Sequence, residues 1–247
     1  MNNAEYLIEW SKLEDQKLIL NIEKFKDDEV YWVTELFLLI QKFQKALLNP
    51  KFGFQISIGL MHMAVKDIHF AFLSIFRGHF SLAYKNIRSA IEAATFINAI
   101  RGDENKANIW SKKGFLDQND QQYKDLLIEG RRGDFGKQLK DKFNFASEQS
   151  HANFFKFING RKSELLLEQK MVKDTYSYFD DNDDWFIAHT HQFIGTIFLI
   201  LNIFEEVFRD QIEDKEYKQK LDQKFSEYKQ YAFKNRDRIL IGPKFKK

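Results

Sequence analysis

Read at every fourth residue from Phe80, the chain gives Phe80, Tyr84, Arg88, Glu92 and Phe96. A charged pair thus sits one helical turn apart in a file that is otherwise aromatic. Charges flanked by aromatics are partly buried, and a buried charge is costly unless it is paired. The pair therefore either fixes packing or belongs to a site. Arg before Glu is the weaker order for an ordinary surface pair on a helix. A second polar file runs through residues 143–157. Ser147 and His151 stand one turn apart there, with Glu148 and Asn153 nearby and Phe143, Phe145, Phe154 and Phe155 around them. An imidazole in that position can move a proton near neutral pH. The competing reading is a histidine satisfied in the core or at the surface.

Two further groups could hold an anion. His62 and Lys66, with Gln55, Gly59 and His69, line one side of residues 53–76. They read either as a polar groove for an anionic ligand or as the edge of a core helix. Arg131 and Arg132 lie in a stretch with Lys137 and three glycines, Gly130, Gly133 and Gly136. These can touch phosphate, although the spacing is not that of a Walker loop. No metal site is expected. Glu148 and His151 have a metal-ligand spacing, but a di-iron bundle needs that motif twice. His189 and His191 point about 200° apart on a helix and cannot share one ion. The acidic run 180–184 lacks the glycine and the closing glutamate of a calcium loop, and reads as a helix cap. Cysteine is absent, which excludes thiol catalysis and Cys-ligated metals. No cofactor is implied.

The elements that must position these residues are helical. Residues 4–25 repeat Tyr6, Leu7, Trp10, Leu13, Leu18 and Ile22 on one face, and residues 29–48 repeat Trp32, Leu36, Leu39, Ile40 and Phe43. Asn49-Pro50 stops the second helix. Residues 53–76 and 81–100 form a helical hairpin broken at Arg77-Gly78-His79. Shorter helices are expected at 104–113 and 118–128, a loop at 130–136, and helices at 138–158, 185–208 and 217–233. Residues 161–178 are polar, and no strand alternation is visible anywhere. The fold class is all-α, an antiparallel helical bundle with extra N- and C-terminal helices.

Composition bounds the function. The chain has 247 residues with two prolines, 11 glycines and a net charge of +2, too balanced to announce a nucleic-acid binder. Residues 234–247 alone carry +5, which leaves −3 elsewhere. No basic leader precedes an apolar run. The apolar stretches 52–65 and 193–204 fall short of the ~18–20 residues of a membrane span, so both read as core helices. A cytoplasmic protein with no membrane contact is expected.

The string from Arg77 to Glu92, RGHFSLAYKNIRSAIE, resembles a helix-turn-helix of HEPN-like (higher eukaryote and prokaryote nucleotide-binding) proteins. In one bacterial branch a glycine turn precedes an Arg-x-x-x-Glu helix, and a later helix carries Ser-x-x-x-His followed by a small residue and Asn. Residues 145–153, FASEQSHAN, are similar to that second element. The resemblance covers roughly residues 55–210. It implies a bundle of four to five helices, often dimeric, and in many members a metal-independent RNase. Carried over, His151 matches the family's histidine and Glu92 its acid, with Ser147 and Asn153 supporting. The usual arginine has no match, because Ala146, Phe145 and Asn144 stand in its place. Arg88 from the neighbouring helix would supply the guanidinium.

The first functional expectation is therefore a non-catalytic interaction or sensing module in a bacterial defence or stress system of toxin–antitoxin type. It would be a homodimer, open to a partner protein and to RNA. The alternatives are a diverged HEPN-type RNase using His151, Glu92 and Arg88, and a small-molecule or nucleotide-binding bundle. Three segments are expected: N-terminal helices at 1–48, the HEPN-like bundle at 53–209, and an amphipathic helix with a basic tail at 210–247. The amphipathic helix and exposed aromatic faces point to the twofold dimer.

Overall fold

The computed structural model describes residues 3–47, 52–116, 120–150, 161–166, 171–176, 183–212, 214 and 216–239. The described residues form an all-α helical bundle. In chain order its helices are α1 (Asn3–Lys24), α2 (Glu29–Ala46), α3 (Gln55–Phe76), α4 (Phe80–Ile100), α5 (Glu104–Leu116), α6 (Gln121–Gly130), α7 (Gly133–Ser150), α8 (Asp183–Phe208), α9 (Tyr217–Lys234) and the single turn α10 (Arg236–Ile239).

The centre is built by the longest apolar helices. α8 buries 18 of its 26 residues, so it is apolar nearly all round, as a central helix must be. It packs against α2, α3, α4, α7, α9 and α10. The Phe43 ring of α2 meets Phe204 and Phe208 of α8 and Tyr217 of α9. α3 and α4 pack along one another as the expected hairpin. Their turn needs Gly78, whose φ of 80° is open to glycine at little cost. Asp183 and Asp184 occupy the first turn of α8, where acids meet unpaired N–H groups.

Several expectations are corrected. Polar residues flanking the apolar runs stay helical, so α3 and α8 are each long and apolar enough to cross a membrane by length and composition. Within the fold, 78% of the apolar span of α8 and 44% of that of α3 is enclosed by protein. The strand-free reading of 161–178 also fails. β1 (Arg161–Leu166) pairs antiparallel with β2 (Met171–Tyr176), Arg161 opposite Tyr176 and Leu166 opposite Met171. Such a ladder is made by main-chain groups, so it can form where side chains show no apolar alternation.

The loop expected at 130–136 is only Arg131 and Arg132, because α7 begins at Gly133. On α1 the expected apolar face is misplaced: Leu7, Leu13 and Ile22 are exposed, while Trp10, Glu14, Leu18 and Asn21 are the more enclosed positions. The α9 face expected to receive a partner is covered by the protein's own core. Tyr217, Leu221 and Tyr228 are buried there.

Candidate functional site

The five-residue file of α4 is real, and it runs past α8, α7 and α6 in turn. Phe80 and Tyr84 pack against the His189 ring of α8 at 4.9 and 5.3 Å. The Tyr84 hydroxyl stands 2.5 Å from His189 Nδ1. Burial pushes that hydroxyl's pKa far up, so it remains protonated. Tyr84 also meets Phe145 of α7 and Phe193 of α8 edge-on. One turn further, Arg88 is half-buried, and its guanidinium carbon lies 4.8 Å from the centre of the Phe143 ring of α7. Another turn on is Glu92. Burial first, and then the Glu92 charge, raise the pKa of Tyr123 on α6. Phe96 closes the file against Tyr123 and Trp110.

The expected Arg88–Glu92 pair is therefore corrected. Among the described residues, Arg88 engages the face of Phe143 and forms no ion pair. A planar guanidinium stacks well on an aromatic ring, and the Arg-to-Glu order on a helix gives the competing ion pair little advantage.

Arg131 reaches the same ring, 5.1 Å from its centre. Two glycines put it there. Gly130 ends α6 so close to α4 that a Cβ would lie 2.1 Å from the Thr95 carbonyl oxygen. The Asn98 amide donates to the Gly130 carbonyl at 2.9 Å and locks the approach. Gly136, in the first turn of α7, passes so near Arg131 that a Cβ would meet its carbonyl carbon at 2.4 Å. The α6 exit and the α7 entry thus grip the backbone of Arg131 between them.

The electrostatics are lopsided. Neither Arg88 nor Arg131 has a side-chain hydrogen bond or ion pair among the described residues, and Arg131 Nε is buried without a partner. Nearby in α7, burial lowers the pKa of Lys142 while Asp141 opposes the shift. Two half-buried guanidiniums on one ring, with no ion pair to either among the described residues, form an anion-seeking surface. They offer several fixed donors to a planar or tetrahedral oxyanion.

The other predicted residues are scattered. Ser147 lies one turn beyond Phe143 on α7, its hydroxyl buried and without a partner among the described residues, while its carbonyl accepts from the Ser150 hydroxyl at 2.9 Å. His151 and Asn153 lie outside the described residues. Arg132 is exposed. His62 and Lys66 are exposed on the outer face of α3, His62 Nδ1 standing 3.3 Å from the Gln44 amide. His69 bonds the Val65 carbonyl and stacks on Phe37. An open cleft of about 550 Å³ lies elsewhere, between α1 and the start of α8, lined by Lys17, Leu20, Asn21, Glu23, Lys24 and Asp183.

Two polar centres escaped the sequence reading. His189, read as an ordinary helix histidine, is ringed by Phe80, Tyr84 and Trp185. His191 is buried with its Nε2 3.1 Å from Glu29, and Arg238 of α10 closes on the same carboxylate at 3.0 Å. A signal for the first existed: Tyr84 precedes Arg88 by one turn and needs a buried polar partner for its hydroxyl. Among the described residues no three His, Asp or Glu side chains are grouped to hold a metal ion. No family model, curated protein or solved structure matches the chain.

Proposed function

We propose that this protein is a cytoplasmic, HEPN-like helical interaction module that recognises a phosphate-bearing ligand, RNA first, in a bacterial defence or stress system. The observation that carries the reading is the convergence of Arg88 and Arg131 on Phe143 with no ion pair to either among the described residues. Folding brings these cations together at an electrostatic cost, and a bound oxyanion would remove it. The balanced net charge favours a local contact over a broad nucleic-acid footprint. Catalysis is not required, because the file supplies a clamp before it supplies a placed base.

The test is fluorescence anisotropy with a short labelled single-stranded RNA. Arg88→Ala and Arg131→Ala should each weaken binding about tenfold, which is about 1.4 kcal/mol. Each should also reduce the dependence of affinity on salt by roughly one phosphate contact. Unchanged affinity and salt slope in both variants would overturn the reading.

A second reading is a metal-independent endoribonuclease using His151, Glu92 and Arg88. One observation favours it: α4 packs on α7, the helix that ends at Ser150, directly before His151 in the chain. Cleavage of the same RNA without metal, lost in His151→Ala, supports this reading. RNA bound but intact supports the first.

A further inference from the structure

Two basic side chains share one buried carboxylate. His191 of α8 and Glu29 of α2 are sealed from solvent, their side chains 1% and 0% exposed. His191 Nε2 lies 3.1 Å from Glu29 Oε1, and Arg238 donates to Oε2 at 3.0 Å. Arg238 belongs to the single turn α10, which rests on α8 and α9 with none of its residues buried. Among the described residues, every side-chain hydrogen bond from α10 to the bundle runs through Arg238. Its other partners are Asp28 at 2.8 Å and the Tyr231 hydroxyl at 3.0 Å.

The remaining groups against the imidazole are phenols of α9. The Tyr228 hydroxyl stands 3.2 Å from Nδ1, and the Tyr231 ring stacks on the imidazole at 5.6 Å. Burial pushes the pKa of both phenols far up, so neither carries charge. Arg236 and Asp237 of α10 are exposed. The charges facing His191 are therefore Glu29 with Asp28 beside it, and Arg238. While the imidazole is neutral, Arg238 is the one cation on Glu29 among the described residues. Lifting α10 would then strand a carboxylate away from water. Once the imidazole takes a second proton, it neutralises Glu29 from the α8 side and repels the guanidinium.

We propose that α10 is an acid-loosened clasp, with His191 as its proton sensor and Glu29 as the carboxylate for which His191 and Arg238 compete. Histidine suits this role, because its charge changes between about pH 5 and 8. Asp28 holds Arg238 in both states, so acid loosens the clasp without detaching it. The segment it anchors is the basic end of the chain, since residues 234–247 carry +5. Falling pH thus frees that end while the bundle stays folded. The inference is independent of the anion-binding reading, which uses none of these residues.

The test is native-state hydrogen exchange on the full chain, followed by NMR at about pH 7.5 and about pH 5.5. The reporters are the Arg238 and Ile239 amides, which both donate to the Asn235 carbonyl at 3.0 Å. Each rate is divided by that of an unstructured chain at the same pH. Wild-type protection of α10 should fall by about fivefold at the lower pH, the scale of one partly screened charge pair, while amides of α8 keep theirs. His191→Gln keeps a donor for Glu29 but cannot gain a charge, so its α10 protection should be equal at both pH values. Unchanged protection in wild type overturns the proposal, and so does an equal fall in His191→Gln. The ring nitrogen signals of His191 in wild type give a check that needs no variant. Their titration should share its midpoint with the loss of α10 protection. A His191 ring that does not titrate over this range overturns the proposal.

Discussion

Glu29 is fully enclosed, yet both of its carboxylate oxygens are engaged. Oε1 faces His191 Nε2 at 3.1 Å and Oε2 accepts from Arg238 at 3.0 Å. Arg238 also donates to Asp28 at 2.8 Å and to the Tyr231 hydroxyl at 3.0 Å. The Tyr228 hydroxyl donates to the His191 carbonyl and stands 3.2 Å from its Nδ1. A carboxylate stripped of water depends on these partners. Removing one member of a fully buried pair costs roughly 3–5 kcal/mol, but Arg238 is about one-third exposed, which weakens the loss. Arg238→Ala should therefore destabilise by about 2–3 kcal/mol in urea unfolding. In the Glu29→Gln background the same substitution should cost far less, because the stranded charge is gone. Equal costs in both backgrounds would mean that Arg238 acts through packing alone. Nothing in the linear spacing revealed this centre. Glu29 and Arg238 are 209 positions apart, and Arg238 entered the sequence reading only as one of the cations of residues 234–247.

Elements were legible where one apolar face is simply buried. α2, the α3–α4 hairpin and α8 follow helical periodicity because burial alone sets their pattern. α1 was misread because only Leu18 and Trp10 of its apolar file turn inward, while Asn21, Glu14 and Asp15 make polar contacts, and polar contacts leave no period. The α6–α7 junction was misread for another reason. Glycines normally signal a loop, but Gly130 and Gly136 are present because backbones touch. That distinction matters to the site, since these two glycines aim Arg131 at Phe143. Gly130→Ala would drive a methyl into the Thr95 carbonyl, and neither backbone yields cheaply. The expected cost is about 2–3 kcal/mol of stability. RNA affinity should fall to the level of Arg131→Ala even at temperatures where the variant is folded. Retained affinity in a folded Gly130→Ala variant would show that the α6 exit does not set the position of Arg131. The site residues Arg88 and Glu92 were visible as a file, whereas the Arg131 contact was not, because only the close approach of α6 to α4 creates it.

At the scale of the molecule, the α3–α4 hairpin separates two surfaces. α1 and the outer side of α3 expose apolar residues, while the polar file of α4 turns toward α5, α6, α7 and α8. The guanidiniums of Arg88 and Arg131 both meet Phe143 of α7, on that second side. Two sites influence one another only if each ligand distinguishes between two states of what lies between them. What lies between is buried core, with Ile68, Ala71, Ile75, Ala83, Ile87 and Ala90 essentially inaccessible, and close-packed core deforms little. The surface variant Ile8→Glu/Ile19→Glu should therefore bind RNA within about threefold of wild type, a difference below 1 kcal/mol. The anisotropy titration that measures Arg88→Ala reads this directly. A loss of tenfold or more would mean that the α1 surface and the anion site are coupled through the hairpin between them.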